Sequence, residues 1–154
     1  MARSKAQGTD RYPPNTPEDS VVSDRRRAYV LDASALLAML LEEPGAELVM
    51  AILDTSLMSS VNWSEVIQKA LAHGIEIEGM QSDLRALGLV IVPFSPEEGE
   101  IAARLWQTTR IKGLSLGDRA CLALSKRFDV PALTADRAWA DLELEDLEIQ
   151  LIRP

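Results

Sequence analysis

Four carboxylates stand where a side chain could do chemistry: Asp32, Glu65, Asp118 and Asp136. Asp32 closes the apolar run AYVL, and Asp136 follows VPALT. Glu65 lies in SSVNWSEV, just after LMSSV, and Asp118 lies in LSLGDRACLAL, three residues after Ser115. Carboxylates gathered in one crevice repel each other, and no Lys or Arg recurs beside all four. An all-oxygen donor set selects a hard divalent cation, Mg²⁺ or Mn²⁺. Each acid taken singly also has an ordinary explanation. Asp32 or Ser34 could cap the helix that follows. Asn62-x-x-Glu65 and Ser115-x-x-Asp118 both have capping-box spacing, and Asp136 suits an N-cap. Acids in a first helical turn gain about 0.3–1 kcal/mol from the helix dipole. As a set they need a common neutralising partner, which scattered caps do not.

Other chemistries lack their residues. One histidine, His73, and one cysteine, Cys121, cannot make a zinc site. His73 precedes Gly74 and is expected to serve a helix end, and Cys121 reads as a small buried hydrophobe. There is no G-x-G-x-x-G or Walker motif to cradle a nucleotide. There is no G-x-S-x-G elbow either.

The elements that must position the acids alternate. Strands are expected at 29–31, 57–61, 89–94, 130–134 and 147–152. Helices are expected at 34–43, 46–53, 62–74, 77–87, 96–110 and 115–128, with a short helical turn at 136–142. Ser95-Pro96-Glu97-Glu98 reads as a helix start, with Ser as N-cap, Pro at N1 and Glu at N3. Strands separated by helices imply right-handed crossovers and a mainly parallel sheet covered on both faces, one three-layer α/β domain. Three of the acids then follow strands at one end of the sheet, where open α/β sheets keep their ligands.

The chain has 154 residues, 47% of them hydrophobic but only 5% aromatic, so aliphatic side chains must fill the core. No apolar run approaches the ~20 residues of a membrane span, and no secretory signal is evident, so a cytoplasmic location is expected. Net charge is −8, which argues against a general nucleic-acid binder unless part of the acidity is a metal site. Residues 1–27 hold six Lys/Arg and four Asp/Glu, whereas 28–154 hold ten and twenty. The first 27 residues, rich in Pro, Ser, Asp and Arg, read as a disordered tail ahead of a domain at 28–154.

YVLDASALLAML, SSVNWSEV, LSLGDRACLAL and LTADRAW, in this order, resemble the four acidic motifs of the PIN-domain ribonucleases. Similarity is greatest to the VapC toxins of VapBC toxin–antitoxin pairs, and it covers essentially all of 28–154. The resemblance implies a PIN-like α/β/α fold and a Mg²⁺- or Mn²⁺-dependent endoribonuclease that leaves a 5′-phosphate. It makes Asp32, Glu65, Asp118 and Asp136 catalytic. Asp32, Asp118 and Asp136 would ligate the metal, and the hydroxyls of Ser34 and Thr134 would support the site. Asp141 is a weaker candidate for support. Arg119 and Arg137, beside proposed ligands, would meet substrate, with Arg110 and Lys112 as further guides for RNA. A cognate antitoxin and a homodimer are the implied partners, and no membrane. Leu40, Leu41, Trp63 and Ile67 could line a groove for the antitoxin or simply pack. Met39, Met50 and Met58 read as core filler. The alternative is a non-catalytic PIN-like module that binds RNA or protein. The tail has no counterpart in the family's core pattern.

Overall fold

The computed structural model describes residues 26–154. Its elements follow the hydrophobic pattern. β1 (Tyr29–Leu31) leads into α1 (Ala33–Leu40), α2 (Ala46–Ile52) and a 3-10 turn at Leu53–Thr55. β2 (Ser56–Ser59) is followed directly by α3 (Ser60–Ala72), then α4 (Met80–Ala86) and β3 (Val90–Val92). α5 (Pro96–Thr109) runs through a 3-10 turn at Arg110–Lys112 to α6 (Leu116–Phe128). β4 (Ala132–Thr134), a 3-10 turn at Arg137–Asp141 and β5 (Ile149–Leu151) complete the order. No described helix is long and apolar enough to cross a membrane.

The sheet order is β3-β2-β1-β4-β5, and every pairing is parallel. Successive strand residues point to opposite faces, and the two cores divide accordingly. Leu31, Met58 and Leu133 pack with Leu36, Val49, Val66 and Leu84 on one face. Val30, Leu57 and Ala132 pack with Leu105, Leu122, Leu124 and Trp139 on the other. That division is the three-layer α/β/α arrangement expected from the sequence. The chain leaves β1 towards β2 and β3, then returns to β4 on β1's other side. The carboxyl ends of β1 and β4 therefore flank a topological switch point.

The first N-terminal residues described belong to the fold. Arg27, assigned to the tail by composition, donates from Nη1 to the carbonyls of Asp54 and Gly88, each at 3.0 Å. The rest of the proposed tail, 1–25, lies outside the described residues. Gly88 has φ +102, and a Cβ there would stand 2.6 Å from the Cα of Asp54. Gly88→Ala is therefore expected to cost about 2–4 kcal/mol. A urea midpoint that falls with an unchanged slope would show it; an unshifted midpoint would refute the close-packing account.

Two expectations need correction. Helix α3 begins at Ser60, with Ser59 as N-cap accepting from the Val61 N–H. Asn62-x-x-Glu65 is therefore not a capping box, and Glu65 sits in the second turn. Serine out-competes the asparagine because it stands at the strand-to-helix junction. Met58 is fully buried, but Met50 is 66% exposed and fills no core. The Ser95–Glu98 and Ser115–Asp118 capping boxes both form. His73 serves its helix end, its Nδ1 lying 2.8 Å from the Lys69 carbonyl, and Cys121 is buried.

Candidate active site: an acidic cluster at the switch point

Asp32 occupies the N-cap position of α1, yet its side chain makes no cap hydrogen bond. Its carboxylate is bound instead by other side chains. Ser34 donates to Oδ2 at 2.7 Å and Thr134 donates to the same oxygen at 3.0 Å. The two hydroxyl oxygens are 3.1 Å apart. Both are themselves fixed by backbone: Ser34 Oγ accepts from Ala135 N–H, and Thr134 Oγ1 accepts from Asp136 N–H. Asp32 Oδ1 has one long contact, 3.5 Å from Nδ2 of Asn62. An ionised carboxylate can accept about four hydrogen bonds, so Oδ1 retains lone pairs.

Two of the other acids act on it. Burial pushes the Asp32 carboxyl up to about 6; the Ser34 and Thr134 hydroxyls oppose that, and the charges of Asp118 and Glu65 add to it. Asp118 is also raised, first by burial and then by Glu65 and Asp136, against the stabilising Ser115 N–H and hydroxyl. The buried Cys121 thiol below is pushed well up by burial, with Asp32, Asp118 and Glu65 contributing. Asp32, Asp118 and Glu65 thus act on one another and on Cys121, while Asp136 acts on Asp118.

Their side chains are not yet a cage. Among the described residues no three His, Cys, Asp or Glu side chains are gathered closely enough to hold a metal ion. The cause is visible. Asp118 Oδ2 accepts the Ser115 N–H at 2.8 Å. Asp136 Oδ1 accepts the Ala138 N–H at 2.9 Å. Glu65 pairs with Lys69 at 3.1 Å, one turn on. These three acids each bond within their own helix or turn. The donor set nevertheless fits a hard cation. It is all oxygen, it carries no shared Lys or Arg, and it holds one acid that burial raises to about 6.

Asn62 and Gly117 join the site, and neither was singled out for it by sequence. Asn62 is fully buried. Its Nδ2 donates to the Gly117 carbonyl at 2.9 Å, and its Oδ1 has no partner. The amide ties α3, which carries Glu65, to the first turn of α6, which carries Asp118. A Cβ on Gly117 would lie 3.2 Å from Glu65 Oε2, so glycine lets the two elements close. The available signal was periodicity: Asn62 shares the apolar face of Val66 and Ala70, where an amide needs a reason. Asn62→Ala should lower stability by about 0.5–1.5 kcal/mol by removing the amide hydrogen bond that joins the two helices. Should a thermal melt show no loss, the tie carries no weight.

The proposed cations divide. Arg119 Nη1 donates to the Ala102 carbonyl of α5 at 2.8 Å. Its guanidinium is engaged between helices through that nitrogen. The long side chain of a first-turn residue reaches the neighbouring helix as readily as the site. Arg137 is exposed beside Asp136 and makes no hydrogen bond or ion pair among the described residues. Asp141 is exposed at the end of its 3-10 turn. Leu40 and Trp63 are half-buried and pack on the first core.

The PIN domain family profile matches residues 29–144, and the chain belongs to the PIN-domain family. Among curated protein sequences none matches. Similar solved structures agree on the fold. A toxin–antitoxin complex from Klebsiella pneumoniae superposes with TM-score 0.61 at 17% identity, covering 78% of this chain and 95% of that one. VapBC2 from Rickettsia felis, bound to a promoter DNA fragment, gives TM-score 0.58 at 17% identity, covering 80% and 98%. DNA-bound VapBC from Salmonella typhimurium gives 0.59 at 12% identity, covering 82% and 98%.

Proposed function

We propose that this chain is a metal-dependent endoribonuclease, the toxin of a type II toxin–antitoxin pair. The observation that carries the reading is Asp32: a buried carboxylate at the switch point, held by two hydroxyls and unused by its helix. Asp32 and Asp118 would hold the main cation, with Asp136 and Glu65 completing the shell or orienting water. Bound there, Mg²⁺ or Mn²⁺ would supply charge to neutralise phosphate and acidify an attacking water. Ser34 and Thr134 fix the Asp32 carboxylate in one orientation, and their backbone donors lock both hydroxyls. Arg137, exposed next to Asp136, would meet a phosphate of the substrate. Burial of Asp32 strengthens its electrostatic contacts relative to water.

Membership of the PIN family and the neighbouring toxin–antitoxin complexes support an antitoxin as partner, and the same reading carries a homodimer and a cytoplasmic location. Purified protein incubated with total RNA, with Mg²⁺ or with chelator, tests it. Cuts bearing 5′-phosphates are expected only with the cation. A second reading, a non-catalytic binding module, is favoured by the acids folded back as caps. RNA retained but uncut in both Mg²⁺ and Mn²⁺ would select it.

A further inference from the structure

α5 and α6 run antiparallel: Arg127 near the end of α6 reaches Glu98 in the first turn of α5. Their connecting tip presents apolar surface to solvent, with Trp106 47%, Ile111 89% and Leu116 52% exposed. The Arg110 guanidinium lies 5.2 Å over the Trp106 ring. This tip is also free of acids in an acidic domain. Residues 106–116 carry two Lys/Arg and no acid, while the other positions of 28–154 carry eight against twenty. Lys112 is three residues from Ser115, whose N–H binds Asp118. Its Cα is thus within about 11 Å of the residue that caps the acid site, at ~3.6 Å per residue.

We propose that the Trp106–Arg110 stack, flanked by Ile111 and Lys112, is a platform for unpaired nucleotides of a single RNA strand entering the acidic cluster. The proposal rests on the nuclease reading and adds the strand's chemistry to it. An exposed indole offers a flat face to any base, and an arginine stacked on it extends that face with positive charge. Paired bases in a duplex keep their faces covered, so the platform prefers single strands. A second copy of this chain suits the surface less well. A two-fold contact across this tip would bring the cations of one tip towards those of the other, and lysine is depleted from interface cores.

Affinity of the full chain for a short labelled single-stranded oligoribonucleotide, and for its duplex, is measured by anisotropy in chelator. Trp106→Ala is expected to weaken single-strand binding about 5- to 150-fold, Trp106→Phe to restore most of it, and duplex binding to change little. Lys112→Gln should reduce the salt slope by about 0.7. Unchanged affinity of W106A, with an unchanged melt, overturns the platform. So does a W106A chain that becomes monomeric in sedimentation while binding RNA as tightly per chain as the wild type, which would mark the tip as a contact between copies. Cleavage in Mg²⁺ is read separately. Wild type that binds strands through Trp106 but never cuts them overturns the nuclease reading and leaves the platform standing.

Discussion

Asp32→Asn is expected to abolish RNA cleavage, by on the order of 10³-fold, while making the protein more stable at pH 8. The two effects have one cause. Asparagine keeps an oxygen to accept from Ser34 and Thr134, so the local hydrogen bonds survive. It removes the charge that burial, Asp118 and Glu65 all disfavour. With the folded carboxyl at about 6 against an ordinary 3.8, the folded state binds the proton more tightly than the unfolded chain. Stability from this residue is therefore full below about 3.8 and is lost as pH rises through about 6. The loss is about 3 kcal/mol, at 1.36 kcal/mol for each tenfold change in proton affinity. Asp32→Asn should flatten that part of the stability–pH curve and raise the melting temperature at pH 8. Unfolding curves at pH 5 and pH 8, without divalent cations, check it. A variant with the same pH slope as wild type would show that Asp32 is not the strained group, and one that cuts RNA normally would remove it from the site.

The alternation of strands and helices was legible because periodicity and punctuation agreed. Pro44-Gly45, Gly74, Gly88 and Ser95-Pro96 each marked a real boundary. The order β3-β2-β1-β4-β5 was not, since nothing local says on which side of β1 the chain returns. Asp32 was legible as a position but not as a state: its hydrogen-bond partners include Thr134, 102 positions away. Asn62 was misread as a cap because spacing cannot tell a residue at a helix start from one two residues inside it. The tie from Arg119 to α5 was not legible, since adjacency to Asp118 in sequence places the two side chains about 100° apart around a helix. Its reach to Ala102 depends on how closely α5 packs, which the sequence does not state.

Mg²⁺ should stabilise the wild-type chain, and the gain should fade as pH falls below about 6. Capping and ligation are not exclusive here. Asp118 uses Oδ2 for the Ser115 N–H and Asp136 uses Oδ1 for the Ala138 N–H, so each keeps an oxygen for a cation. The caps fix one oxygen of each carboxylate and leave the other without a cap bond. At 100 times its dissociation constant the ion adds about 2.7 kcal/mol, or roughly 5–10 °C in melting temperature for a domain of this size. Ligands must be ionised to bind. Below about pH 6, where Asp32 takes up its proton, affinity should drop by up to about tenfold per pH unit. Thermal melts with Mg²⁺ against chelator, at pH 5 and pH 8, measure this directly, with Asp32→Asn as the control that responds weakly at both. Equal stabilisation of wild type and Asp32→Asn would mean that the cation binds elsewhere. No stabilisation of wild type at pH 8 by either Mg²⁺ or Mn²⁺ would mean that four acids share this end of the sheet without a common ion.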